Sequence, residues 1–138
     1  MTAPLPEQQQ PARPSRALRM AAGLLGIGTL HFLAPKPFDT IVPAELPGSA
    51  RFYTYASGVA ELGVAGLLAA PQTRRLGALA AIALFVAVYP ANVNMVRLWL
   101  RDPGKSLPMR LVAIARLPLQ LPMIVEAWRI YRQSRPGI

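Results

Sequence analysis

The chain has no cysteine, a single histidine and only six acidic residues among 138. Without a thiol pair there is no disulfide exchange. One histidine, His31, cannot supply a metal cluster, and no carboxylate pair stands at ligand spacing. Charge as a whole is scarce: 15% of residues are charged against 53% hydrophobic. A soluble domain of this length carries more. No nucleophile–base arrangement or other catalytic motif is legible, so no enzyme activity is assigned.

What is present is long apolar segments. They fall in four blocks, residues 17–34, 52–70, 76–95 and 107–131, each of roughly the length that crosses a hydrocarbon core. Soluble bundle helices show a charged stripe at helical spacing; here the charges gather at the block ends. The expected fold is therefore all-α: an integral membrane four-helix bundle in a bacterial inner membrane, spanning residues 15–132. A disordered tail is expected at 1–14, which holds four prolines and the run Gln8-Gln9-Gln10. A basic tail is expected at 133–138. The first block resembles a signal peptide, but Thr29 and His31 interrupt it and no small-residue cleavage pattern follows, so it is read as a mature helix.

The net charge of +9 does not point to nucleic acid, because the basic residues sit where membrane proteins place them. Arg13, Arg16 and Arg19 precede the first block, Arg74 and Arg75 separate the second from the third, and Arg129, Arg132 and Arg135 end the fourth. An N-inside, C-inside topology puts these eight on one side. Lys36, Arg51, Arg97, Arg101, Lys105 and Arg110 fall on the other. The bias is small but of the expected sign. Between blocks one and two, APKPFDTIVPAELPGSAR carries four prolines that speak against a regular helix. It also carries Phe38, Ile41, Val42 and Leu46, so it is expected to lie back over the bundle mouth or in the interface. Thr73 is placed to cap the third helix.

Polar residues inside the blocks mark a candidate site. Glu61 and Arg116 each lie nine residues from the outer start of their helix, about 13 Å deep. Asn92 falls in the same outer half, His31 one turn from the outer end of the first helix, and Gln120 on the face of Arg116 at i+4. A lone charge at that depth is costly, and Arg suits bidentate pairing with a carboxylate, so Glu61 is expected to meet Arg116. Ser57, Gly58 and Ala65 flank Glu61, and Ala83, Ala87 and Ala91 form a stripe on the third helix; small residues of this kind suit close helix packing. Plainer readings stand beside these. The pair serves only to set helix register; His31 satisfies a backbone carbonyl; Asn92 repairs the hydrogen bond that Pro90 removes at the Val86 carbonyl. Glu126, near the inner end, is read as a structural partner of Arg19 or Arg129. Trp128 and Tyr131 fit an interfacial belt.

Four phrases, HFLAPKPFDTIVPAELP, YASGVAEL, APQTRRLGALAA and LFVAVYPANVNM, resemble in order and spacing the DoxX-like family of small bacterial membrane proteins. The likeness covers residues 23–128, and its matching positions are His31, Ser57, Gly58, Glu61, Pro90 and Asn92. It implies a four-helix membrane domain associated with respiratory or sulfur redox systems. The thiol chemistry of related branches does not carry over, since the cysteines are absent.

Three functions fit these features. The first is an accessory subunit whose outer pocket (His31, Glu61, Asn92, Arg116, Gln120) holds a quinone or lipid headgroup beside a membrane redox partner, with Ser57, Gly58 and Pro90 shaping the frame. The second is a structural or assembly protein, self-associating or not. The third is a small proton-coupled transporter, disfavoured because an arginine paired with Glu61 holds it ionised.

Overall fold

The computed structural model describes residues 15–136. The tail expected at 1–14 lies outside the described residues, as do residues 137–138 of the tail expected at 133–138, whose first residue, Gln133, still belongs to α5. Among those described, the secondary structure is helical: α1 (Arg16–Leu33), α2 (Pro35–Asp39), α3 (Ala50–Ala69), α4 (Arg74–Arg101) and α5 (Leu107–Gln133). Two of these, α4 and α5, are long and apolar enough to cross a membrane. In α1 the arginines at 16 and 19, and in α3 Glu61 among Tyr, Ser, Thr and Gly, dilute the apolar character.

The helix starts are set by local chemistry. Ser15, Ser49 and Ser106 have extended backbones, and each accepts a hydrogen bond from the amide three residues on, Leu18, Phe52 and Met109. Thr73 is the exception. It precedes α4, but its hydroxyl donates back to the Leu67 carbonyl at 2.8 Å rather than capping α4. The tight turn leaves the α3 carbonyls in greater need of partners, and Arg74 also donates to Leu68 and Ala69. The proline-rich segment is not wholly irregular either: PKPFD forms one helical turn, α2. Pro35 and Pro37 lie in the first turn, whose amides have no helical acceptor, so proline costs nothing there.

The long helices alternate in direction. α1 packs along α3, α3 along α4 and α4 along α5, while α1 and α5 meet more sparsely. Arg16 at the start of α1 reaches both carboxylate oxygens of Glu126 near the end of α5, at 2.8 Å, which brings the start of α1 and the end of α5 to one end of the bundle. Arg129 adds a weaker contact at 3.7 Å; Arg19, the other expected partner, is not in this network. Arg75 donates to the Tyr131 hydroxyl, whose ring stacks on Trp128.

The interior divides along its length. Towards the Arg16 end it is apolar: Ala17, Ala21, Leu24, Val64, Ala65, Leu68, Ala78, Ala81, Leu84, Phe85, Ala127 and Ile130 form one buried cluster. Small residues let the backbones close up. A Cβ on Gly77 falls 2.8 Å from the Leu68 nitrogen, so α4 can approach α3 this closely only with glycine there. The small-residue contact on α4 is thus made at 77, 78 and 81; Ala83 is exposed, and Ala87 and Ala91 line a cavity instead. The buried polar residues, His31, Thr54, Glu61, Asn92, Asn94 and Gln120, all lie above this cluster, towards α2. The outer surface carries large apolar side chains on all four long helices, among them Leu25, Leu33, Phe52, Val59, Leu76, Val86, Leu111 and Leu121.

Candidate functional site

At the α2 end a cavity of about 270 Å³ opens between the helices. Each long helix contributes polar groups or wall to it: His31 from α1, Thr54, Ser57 and Glu61 from α3, Ala87, Pro90 and Asn92 from α4, and Arg116 from α5. The connection after α1 forms the roof, through Phe38, Ile41, Val42 and Leu46. The expected folding back of this loop over the mouth is therefore observed.

A set of contacts that the sequence reading missed holds the roof down. Thr54 donates to Asp39 Oδ1 at 2.6 Å and Arg51 to Asp39 Oδ2 at 2.9 Å. Asn94 donates to the Ile41 carbonyl at 2.9 Å, and Arg97 reaches Glu45 at 3.5 Å. The Phe38 ring stacks on the His31 imidazole, with centroids 3.8 Å apart. The Thr54 bond and then the Arg51 guanidinium hold the Asp39 carboxyl below its usual range. A backbone hydrogen bond, with Arg97 next, does the same for Glu45. The available signal was the pair of asparagines in PANVNM. Two residues apart on a helix of 3.6 per turn, they face opposite ways, so Asn92 and Asn94 could not serve one site.

The polar residues do not combine as their depths suggested. Glu61 is buried and lies 3.4 Å from His31 Nδ1, while Arg116 is exposed and its nearest polar contact is the Met95 sulfur, at 3.9 Å. The two share the cavity but form no ion pair. The reason is the helix order. α3 packs between α1 and α4, and α5 stands diagonally across from it, so equal depth brings Glu61 and Arg116 to one level without making them neighbours. Exclusion of proton-coupled transport by that pair lapses with it.

His31 satisfies a backbone carbonyl, as the plainer reading had it: Nδ1 lies 2.8 Å from the Ile27 oxygen. A carbonyl has no proton to give, so Nδ1 carries it, and in the neutral ring Nε2 is left as an acceptor. Thr29, the other polar residue of α1, donates to Leu25 in the same manner. Glu61 Oε2, the oxygen 3.4 Å from His31 Nδ1, is buried without a hydrogen bond, because the Nδ1 proton is directed at Ile27.

Asn92 and Gln120 form an internal chain. Asn92 Nδ2 donates to Gln120 Oε1 at 3.1 Å, and the Gln120 amide donates to the Phe85 carbonyl. Asn92 therefore does not repair the Val86 carbonyl that Pro90 deprives of a donor: its amide is spent on Gln120. Gln120 lies below the cavity and does not line it, whereas Asn92 does. Ser57 lines the cavity, and Gly58 is a packing position: a Cβ there falls 2.7 Å from the Phe32 ring and 2.9 Å from the His31 Cβ. No group of three or more metal-ligating side chains occurs among the described residues.

A family model described as a domain of unknown function, DUF8561, matches residues 20–131. The chain belongs to this family. The matched span takes in the whole cavity and most of every long helix. No curated protein and no solved structure matches the chain.

Proposed function

We propose that the protein is a multi-pass inner-membrane protein of DoxX-like kind, in which all four long helices cross the bilayer and the outer cavity binds a single polar ring of the quinone class beside a redox partner. The carrying observation is the unpartnered Glu61 Oε2 in a cavity walled by His31, Ser57, Asn92 and Arg116. A buried polar atom without a partner is destabilising, and a ligand that supplies a hydroxyl donor removes that cost. The Arg116 donors and the His31 Nε2 acceptor suit the remaining oxygens of such a ring. The volume agrees: an apolar cavity of about 150 Å³ accommodates benzene, and this one is larger. The membrane placement is supported by the large apolar side chains on the outer surface of every long helix, the distribution expected when the surroundings are lipid.

The test is thermal melting of the purified protein in detergent with a short-chain quinone, its quinol and a phospholipid. A ligand that binds only the folded state raises the melting temperature by mass action. The shift is expected for the quinol, whose hydroxyls can donate to Glu61 Oε2, and is expected to shrink in Glu61→Gln and His31→Ala. No shift from any of the three compounds rejects ring binding. It leaves a structural or assembly protein, the reading favoured by the internal Asn92–Gln120–Phe85 chain, whose groups are spent on one another.

A further inference from the structure

A second space adjoins the outer cavity. Between α1 and α5 runs a groove of about 470 Å³, with Gly23, Leu24 and Ile27 on one wall, Pro122 and Met123 on the other, and Phe85 of α4 at its back. It follows the seam where the long helices pack most sparsely. Its foot is closed by charge, through Arg19 and the Arg16–Glu126 ion pair. At its other end Ile27 borders both the groove and the polar cavity. The distance from Ile27 down to Arg19 is eight residues of helix, about 12 Å.

We propose that this groove holds the hydrocarbon chain of the ligand whose ring occupies the outer cavity, so that the ligand is a long-chain amphiphile which enters sideways from the bilayer. The inference rests on the ring-binding reading of the cavity and adds the chain and the route. The walls between the two polar ends are apolar, which suits a chain and not a second polar head. The alternative entrance, through the roof, is pinned by the Asp39–Thr54–Arg51 cluster and by Asn94 on Ile41. Entry there breaks these bonds and drags the chain through water, at a cost that grows with every methylene. The seam requires neither.

Gly23 supplies the test. A Cβ built there meets nothing within 4 Å, and the same holds for Gly26, which lines neither space. Gly23→Phe therefore adds bulk at the groove wall from a Cβ that meets nothing, and Gly26→Phe is a matched control on the same helix. Melting is followed in detergent, under reducing conditions, with a bare dimethoxy-methyl-benzoquinol and with the same ring bearing a decyl chain. Wild type and Gly26→Phe are expected to respond to the decyl compound at concentrations at least about tenfold below the bare ring, since burying two methylenes already accounts for that factor. In Gly23→Phe the advantage should vanish while the response to the bare ring persists. Comparison with Gly26→Phe removes the effect of chain partitioning into micelles. If the bare ring binds but the decyl compound is no better in wild type, or keeps its advantage in Gly23→Phe, the groove holds no chain and only the ring reading survives. If neither compound shifts the melting temperature of wild type, the ring reading falls and the groove proposal with it.

Discussion

Glu61 shows how a residue with an evident need comes to lie beside a group that depth alone does not reveal, here without a hydrogen bond to Oε2. A carboxyl group in an apolar segment needs a donor or a counter-charge, and that much is readable from YASGVAEL. The neighbour is His31 at 3.4 Å, because α1 is the helix beside α3. Double-mutant cycles should report this. Coupling between His31→Ala and Glu61→Gln is expected to exceed about 0.5 kcal/mol, the level at which residues in contact depart from additivity. Coupling between Glu61→Gln and Arg116→Gln should be smaller, since no bond joins them. The reverse order would reinstate the ion pair across the bundle. His31 itself was legible in part: a histidine one turn from a helix end can always reach a carbonyl of its own helix, and it does so here.

At the scale of elements, close approach and roof attachment decide the arrangement. The α3–α4 hairpin depends on Gly77, whose added Cβ would strike backbone atoms of Leu67 and Leu68 that cannot step aside. Gly77→Ala should therefore destabilise by about 1–3 kcal/mol, the usual cost of overpacking, despite alanine being the better helix former. A melting temperature at or above wild type would show that the hairpin relaxes freely. The roof should respond to acid. The folded-state pKa of Asp39 lies below that of the unfolded chain, near about 3.9. Its contribution is therefore fully present above the unfolded value and is lost as pH falls through the lower, folded value. Hydrogen exchange of residues 35–47 should stay slow from neutral pH down to about 4 and accelerate below, once intrinsic exchange is corrected for. In Asp39→Asn the segment should exchange fast at every pH. A wild-type roof that opens at neutral pH would contradict the role given to this cluster.

For the whole molecule, the Arg16–Glu126 bridge ties the start of α1 to the end of α5, and the even number of long helices returns the chain to its starting side. Seven arginines (16, 19, 74, 75, 129, 132 and 135) gather at that end among the described residues. With all four long helices in the bilayer, reporter fusions at both termini should give a cytoplasmic signal, because basic residues are retained on that side. Termini on opposite sides would mean that one long helix does not cross, and α1 or α3 would be the one lying outside the membrane, since α4 and α5 are the two long and apolar enough to span it. Such a result would also expose the outer cavity to water and remove the lateral route between α1 and α5.

The helices themselves were determined by the sequence. Apolar run length, serine caps at 15, 49 and 106, and prolines confined to first turns or to helices long enough to tolerate them are local properties, settled within a few residues of chain. That polar side chains cluster in one half was also legible, since depth is counted along a helix. Which of them touch was decided only by tertiary structure. Neighbour order around a four-helix arrangement is not a local property: the same four depths are compatible with Glu61 facing Arg116 or facing His31, and only the packing of α3 between α1 and α4 chooses. The groove beside the cavity has the same origin, as the space left along α1 and α5 where the ring of helices closes least tightly.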